Sequence, residues 1–148
     1  MINENISKLK LLAEDIQDLH VFSAYLQDSV IVVNDIKFLP KTKKLICVFN
    51  RFMWEDAEKG IFRKNKRIRS ALVFDNVTKV KSKGINPKKK TKILEFLAIK
   101  IEIKDNYFDI RLIFSGDSVL LIKAEEIVSS LEDFGKTWET SYKPKHKI

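Results

Sequence analysis

Residues 93–124, ILEFLAIKIEIKDNYFDIRLIFSGDSVLLIKA, decide the fold of this chain. The stretch places apolar residues at alternate positions, first Ile93, Leu97, Ile99, Ile101 and Ile103, then Phe108, Ile110, Leu112 and Phe114. A period of two marks half-buried strands, because successive side chains of a strand point to opposite faces. Asp105-Asn106 and Ser115-Gly116-Asp117 suit tight turns, because these residues tolerate left-handed backbone angles. The sequence predicts a three-stranded meander with Leu112 and Phe114 in the core.

The composition predicts one globular domain covering residues 1–148. The chain is 45% hydrophobic, enough to bury a core without disulfides. Its single cysteine, Cys47, lies in an apolar run and is expected to be a small core residue in a reducing compartment. No apolar run reaches the roughly 20 residues of a membrane helix, and the first ten residues lack a secretory signal. We expect a cytoplasmic protein, with residues 142–148 as a disordered basic tail.

The segments before the meander predict several strands and one helix. Residues 9–13 suit a short edge strand, and Asp15 can cap a helix whose apolar stripe consists of Leu19, Phe22, Ser23 and Leu26. Residues 30–39, 45–52 and 67–74 are rich in apolar and β-branched residues, which predicts strands, with a turn at Pro40. The run 45–49 is apolar on both faces and predicts an interior strand.

The segment after the meander predicts a second helix. It starts at Ala124, carries Ile127, Leu131 and Phe134 on one stripe, and stops at Gly135. The whole pattern predicts a single α+β domain with a mainly antiparallel curved sheet or barrel of about six to seven strands. It has an N-terminal and a C-terminal helix, and a pleckstrin-homology-like barrel is one form that such a sheet can take.

The positive charge is concentrated in one segment. Residues 63–92 contain twelve Lys or Arg and one acid, Asp75, which gives +11, whereas the rest of the chain has 16 basic and 19 acidic residues, which gives −3. The candidates for contact with a polyanion are Arg67, Arg69, Lys79, Lys81, Lys83, Lys88, Lys89 and Lys90. We expect two basic rows beside a mobile basic loop at residues 84–92. The alternative is a solvated face with a flexible loop.

A polar cluster interrupts the interior strand at residues 50–55. Asn50, Arg51, Trp54 and Glu55 are candidates for a ligand-binding lip, in which Arg51 and Glu55 pair across a turn and Trp54 fills a groove. The alternative is a structural corner anchored by Trp54.

Signatures of catalysis and of metal binding are lacking in the sequence. It has neither a glycine-rich phosphate loop nor paired cysteines, and its two histidines are far apart. We therefore name no catalytic residue, metal ligand or cofactor.

Several separate stretches resemble the uncharacterised alphaproteobacterial family called domain of unknown function 2948. They are LKLLAEDIQDLHVFSAYLQDSV, the turn at Pro40, NRFMWE, RIRSALVFDNVTKVKSKGI, LEFLAIKIE and SSLEDFGKTWE. The resemblance implies a bacterial cytoplasmic protein with no assigned activity. The lysine-rich loop 88–92 departs from it.

Three functional hypotheses follow. The first is a non-catalytic binding or adaptor module with an unknown protein partner. The second is an RNA- or ribosome-associated protein that binds polyanions through residues 63–92. The third, favoured least, is a small enzyme centred on Arg51, Trp54 and Glu55.

Overall fold

The computed structural model describes residues 8–53 and 66–140 of the chain. The strands of this part are β1 (Lys10–Ala13), β2 (Val30–Val32), β3 (Ile36–Leu39), β4 (Lys44–Phe52), β5 (Lys66–Phe74), β6 (Val77–Lys83), β7 (Ile93–Ile103), β8 (Phe108–Phe114), β9 (Ser118–Ala124) and β10 (Ser129–Glu139). One α-helix, α1 (Ile16–Leu26), follows β1, and a 3-10 turn at Val33–Asp35 separates β2 from β3. The described chain is nearly all sheet, so the predicted α+β class is wrong.

All ten strands form one antiparallel sheet. Its order is β1-β10-β5-β4-β2-β7-β8-β9-β6, and β3 pairs with β4 next to β2. We call β1, β10, β5, β4, β3 and β2 the first half, and β7, β8, β9 and β6 the second half. Buried side chains of both halves, such as Phe49, Leu72, Phe96 and Leu112, belong to one hydrophobic core. The two halves therefore face each other across that core, which buries one side of each.

The predicted meander is present, with one irregularity in β7. Gly116 and Asp117 have positive φ values of 73° and 58° in the second turn, as expected. In β7, Leu94, Phe96 and Ile99 are buried while Leu97 is 45% exposed, because the register with β8 shifts between Phe96 and Ala98. This β-bulge reverses which parity faces the core. The prediction of one unbroken alternation from Ile93 to Ile103 is wrong.

Helix α1 begins where the sequence predicted it to begin. The Asp15 carboxylate accepts a hydrogen bond from the Asp18 N–H at 2.8 Å, and the Asp18 carboxylate accepts one from the Glu14 N–H at 3.0 Å. This reciprocal pair satisfies amide groups that lack partners at the start of a helix. Leu19, Phe22 and Leu26 are buried, as the stripe predicted. The exposed edge of α1 carries His20.

The predicted C-terminal helix is wrong, because residues 129–139 form β10. Ser129, Leu131 and Asp133 are buried at alternate positions, and β10 pairs with β1 on one side and β5 on the other. Apolar residues that lie three or four positions apart fit both a helix and an interrupted strand. Pairing with distant strands decides which of the two structures forms. Gly135, with φ 75°, lies at the register shift between Phe134 and Trp138 and does not cap a helix.

The prediction of six to seven strands is also wrong. Residues 30–39 form two strands instead of one, because the 3-10 turn interrupts them, and β10 adds another.

The expectations of an edge strand at β1 and of an interior strand at β4 are confirmed, since β1 ends the sheet order and β4 has neighbours on both sides. Without a C-terminal helix, the comparison with a pleckstrin-homology-like barrel is wrong as well. Residues 142–148 lie outside the described residues.

Leu112 and Phe114 test the core side of β8. Both side chains are buried, at 0% and 1% exposure, so truncation of either to alanine should cost about 2–5 kcal/mol through lost burial and cavity formation. Ile113 lies between them and is only half-buried, so Ile113→Ala is the matched control and should cost less. Chemical denaturation of the three variants measures this difference. Losses under about 0.5 kcal/mol at both buried sites would contradict the assignment of the core face.

Candidate functional site

Arg51 is a fully buried side chain that holds the carboxylate of Asp133. Arg51 Nε lies 3.1 Å from Asp133 Oδ1 and Nη2 lies 2.8 Å from Oδ2, and both side chains are 0% exposed. Ser70 Oγ donates to Oδ1, and the Leu9 N–H donates to Oδ2 at 3.0 Å. The Asp133 N–H in turn donates to the Leu9 carbonyl at 2.9 Å. This network joins the start of β1 to β10, β5 and β4.

The candidate lip at residues 50–55 is described only in part. Trp54 and Glu55 lie outside the described residues. Both carbonyl groups of Asn50 already accept hydrogen bonds from within the protein. The side-chain carbonyl accepts from Arg69 Nη1 at 3.2 Å, and the main-chain carbonyl accepts from Arg67 Nη1 at 3.2 Å. Arg51 is enclosed and already holds a carboxylate. The ligand-binding lip and the corner anchored by Trp54 both stay predictions.

The basic segment does not form one surface. Arg67 and Arg69 lie on β5, which has β10 and β4 as neighbours in the first half, whereas Lys79, Lys81 and Lys83 lie on β6 at the far edge of the second half. The two arginines are also engaged. Arg69 contacts Asp35 at 3.4 Å and packs on the Phe134 ring, and Arg67 packs on the Phe52 ring. The structure therefore separates Arg67 and Arg69 from the three lysines.

The loop at residues 84–92 is anchored along its length. Carbonyls of Lys90 and Lys92 accept hydrogen bonds from Asn34 and Val33 at 2.9 and 3.0 Å. Asn86 accepts from the Lys88 N–H through its side chain and from the Lys89 N–H through its backbone, both at 3.0 Å. These hydrogen bonds therefore indicate an ordered loop instead of the mobile loop that we expected. Lys88, Lys89 and Lys90 have exposed positions on a fixed turn.

The three lysines of β6 share a face with further cations from neighbouring strands. Directly paired residues of antiparallel strands point to the same side of a sheet. Lys79 pairs with Lys123, and Lys123 with Asp109. Lys81 pairs with Leu121, Leu121 with Arg111, and Arg111 with Lys100. We call the exposed cations of this outer surface the basic face: Lys79, Lys81, Lys83, Lys100, Arg111 and Lys123.

The four lysines of the basic face on β6 and β9 repel one another without being held in ion pairs to any described residue. No ion pair in the described part of the chain includes Lys79, Lys81, Lys83 or Lys123. The neighbouring charge of Lys81 is the main cause that lowers the pKa of Lys79 below its ordinary value of 10.5, and the charge of Lys123 adds the smallest contribution. Like charges directly opposite each other destabilise a sheet. An anion bound between these lysines would remove that cost.

Two acids share the surface of the basic face: Asp109, directly opposite Lys123 and beside the concavity between the cations, and Glu102, opposite Asp109. Arg111 Nη2 lies 3.3 Å from Asp109 Oδ2, and Lys104 Nζ lies 2.9 Å from Glu102 Oε2. A hydrogen bond from Lys104 is the main cause that lowers the pKa of Glu102, and Glu102 raises the pKa of Lys104 in return. A shallow concavity of about 300 Å³ lies between Lys79, Lys81, Lys123 and Arg111, with Tyr107 on its wall.

Protection of the sheet edge explains only part of this arrangement. β6 is the last strand of the sheet, and lysines on an edge strand discourage pairing with another chain. That role accounts for Lys79, Lys81 and Lys83. It does not account for Arg111 and Lys123, which lie on the interior strands β8 and β9. The basic face therefore extends beyond what edge protection requires.

Sequence reasoning missed Arg111, Lys123 and Lys100, because it looked for cations inside residues 63–92. The alternation along β8 and β9 already placed Arg111 and Lys123 opposite the apolar parity. The pairing of β9 with β6 brings these distant segments together, and local sequence patterns do not predict it. Asp133 was missed as the partner of Arg51 because it lay in a predicted helix.

The described residues offer little to redox or metal chemistry. Burial raises the pKa of the Cys47 thiol from 9.0 to about 12, and the thiol is enclosed in the core as predicted. No group of three or more His, Cys, Asp or Glu side chains within residues 8–53 and 66–140 could hold a metal ion. In the same residues, α1 is too short to cross a bilayer, and no other helix could do so.

Comparison with known proteins gives a family. The sequence profile of the family described as Protein of unknown function (DUF2948) matches residues 9–146, nearly the whole chain. The chain belongs to this family. No curated protein and no solved structure matches it. Membership in this family of unknown function confirms the resemblance and supplies no activity.

The buried pair of this family member should be essential for its stability. Arg51→Met leaves the Asp133 carboxylate buried without its cation, which should cost about 3–5 kcal/mol. Lys43→Met, which breaks the exposed 2.7 Å pair with Glu125, is the control and should cost less than about 1 kcal/mol. The double variant Arg51→Met with Asp133→Leu should recover part of the loss, because no charge is then stranded. Urea denaturation measures the stability of each variant. Equal losses for Arg51→Met and Lys43→Met would contradict the argument.

Cys47 should be unreactive while the protein is folded. Only the thiolate attacks a disulfide reagent, and the raised pKa keeps the enclosed thiol protonated at about pH 8. We expect reaction with an aromatic disulfide only after denaturant is added. Because the folded-state pKa is raised, the stabilising contribution of this thiol is complete below the ordinary thiol pKa and declines as pH rises above it. Rapid labelling of native protein would contradict the burial.

Proposed function

We propose that the protein is a non-catalytic binding module whose ligand is a polyanion, with RNA as the first candidate. The observation that carries the proposal is the cluster of unpaired cations on the basic face, where Lys79 lies directly opposite Lys123 and next to Lys81. A protein surface rarely gains from such repulsion unless a negative partner relieves it. Clustered lysines that track a phosphate backbone release counterions, and this release drives binding.

The spacing of the lysines suits a phosphate chain. At about 3.3–3.4 Å per residue, Lys79, Lys81 and Lys83 follow one another at intervals of about 7 Å along β6. A row of cations at this interval can contact several phosphates of one strand, since each nucleotide carries one negative charge. Arg111 and Lys123 supply a second row on the neighbouring strands. The arrangement therefore favours contacts along a backbone over contacts to a single small ion.

Contacts to bases have less support. The Tyr107 ring lies on the wall of the concavity, but Lys123 Nζ covers it at 4.3 Å from the ring centroid. The ring is therefore not a free stacking platform for single-stranded bases. We expect binding with little sequence preference and with a steep dependence on salt.

The other two hypotheses have weaker support. A catalytic centre at Arg51, Trp54 and Glu55 would need an accessible guanidinium, and that of Arg51 is enclosed by Asp133 and Ser70. An adaptor role for a protein partner is compatible with the fold, but the basic face by itself does not select a protein.

Charge reversal on the basic face is the test of the proposal. Replacement of Lys79, Lys81 and Lys123 by Glu should weaken binding to labelled RNA and remove about two to three units from the slope of log affinity against log salt, since about 0.7–0.9 counterions are released per phosphate contact. Fluorescence anisotropy at several salt concentrations, with duplex and single-stranded RNA, measures both quantities.

The control carries the same change of charge elsewhere on the molecule. Lys8, Lys10 and Lys136 are exposed and lie outside the second half, so their replacement by Glu should leave most of the slope. Equal weakening by both triple variants would mean that only the net charge of +8 attracts RNA. If the wild-type protein binds neither form of RNA in about 50 mM salt, the proposed function is wrong.

A further inference from the structure

The free edges of β3 and β6 border a cleft on the side of β6 opposite to its partner β9. β3 pairs with β4 and β6 pairs with β9, and neither strand has a second partner in the described part of the chain. The Val77 N–H donates to the Lys43 carbonyl at 2.9 Å and joins the two strands at one end. Hydrogen bonds from the 3-10 turn to the loop at residues 84–92 close the other end. The two edges therefore lie near each other without pairing.

The space between these edges is apolar at its base and basic at its rim. It has a volume of about 240 Å³, with Leu120 at the floor, Ile36 and Lys37 on the β3 side, and Ser82, Ile85 and Lys90 on the other side. We call this space the edge cleft. Ile36 and Ile85 pack against the core from its walls. An apolar side chain that enters the edge cleft would therefore meet the hydrophobic core directly.

The charges around the edge cleft favour an acidic occupant. Residues 81–92 contain no acid, and their lysines at 81, 83, 88, 89, 90 and 92 are all exposed. On the opposite wall, Lys37 has an exposed side chain whose Nζ donates a hydrogen bond to Asn34 Oδ1 at 3.3 Å. Edge lysines repel neutral and basic strands, so they select against most chains and leave acidic ones favoured.

We propose that the edge cleft binds an extended acidic peptide that adds as a strand to the free edge of β6. In an extended peptide, successive side chains point to opposite faces, so apolar residues at alternate positions would enter the cleft towards Leu120. The positions between them would face outwards, where acidic residues would lie near Lys37 at the rim. Backbone hydrogen bonds would supply affinity, and the alternation would supply specificity. This site is separate from the one proposed for RNA.

A designed peptide can probe the edge cleft. The probe is a capped seven-residue peptide of alternating Val and Glu, titrated into the isotope-labelled full chain. Saturable shifts should appear for the amides of Ile36, Lys37, Ser82 and Ile85. The same peptide with alternate backbone nitrogens methylated should not bind, because it keeps its charge and side chains but loses the donors that pair with a strand edge.

Variants separate this site from the basic face. Lys37→Glu with Lys90→Glu should weaken peptide binding by about tenfold or more, whereas Arg111→Glu with Lys123→Glu, on strands that the peptide does not pair with, should leave it within about twofold. The second double variant should weaken RNA binding, so either proposal can fail while the other holds. The inference is overturned if the parent peptide does not bind, if the methylated peptide binds equally well, or if both double variants weaken peptide binding alike.

Discussion

The fold depends on β7, which joins the second half of the sheet to β2 of the first half. Its first residues, Ile93–Glu95, pair with the three-residue strand β2, and its later residues pair with β8. The bulge between Phe96 and Ala98 lies where one pairing gives way to the other, and it lets buried side chains before and after it face the same core. Helix α1 fixes this position, because Ser23 Oγ accepts a hydrogen bond from the Ile99 N–H at 3.0 Å. Without the bulge, Phe96 and Ile99 would point to opposite faces of the sheet, and one of them would leave the core.

The first half is held by a different kind of interaction, a buried ion pair. Removal of two charges from water is costly, and a buried pair often contributes little more than apolar residues of the same size. The Arg51–Asp133 pair repays its burial through its partners. Asp133 also accepts from Ser70 and from the Leu9 N–H, so four segments of the chain meet at one carboxylate. A pair of this kind fixes the register of β1 and β10, which apolar contacts alone define less sharply.

Patterns within a few residues correctly predicted the features that depend on neighbouring residues. The cap at Asp15, the stripe of α1, the turn at Gly116-Asp117 and the core side of β8 each depend on residues a few positions apart. The failures all involve distant segments. β10 was predicted to be a helix because its apolar spacing fits both periods, and its pairing with β1 and β5 joins residues far apart in sequence. The basic face was half predicted for the same reason, because Lys123 meets Lys79 only through the pairing of β9 with β6.

The distribution of ion pairs connects the fold to the proposed function. In the described chain, the cations Lys43, Lys44, Arg51 and Arg69 each meet a carboxylate, whereas Lys79, Lys81, Lys83 and Lys123 meet none. The ion pairs, which in the second half include Arg111–Asp109 and Lys104–Glu102, therefore leave the lysines of β6 and Lys123 without carboxylate partners among the described residues. Exposed pairs contribute little to stability, so this difference costs the fold only a small amount. Its effect on the electric field is larger, because an unneutralised cluster attracts anions over about 8 Å at physiological ionic strength. The asymmetry makes a negatively charged partner the most economical explanation of this surface.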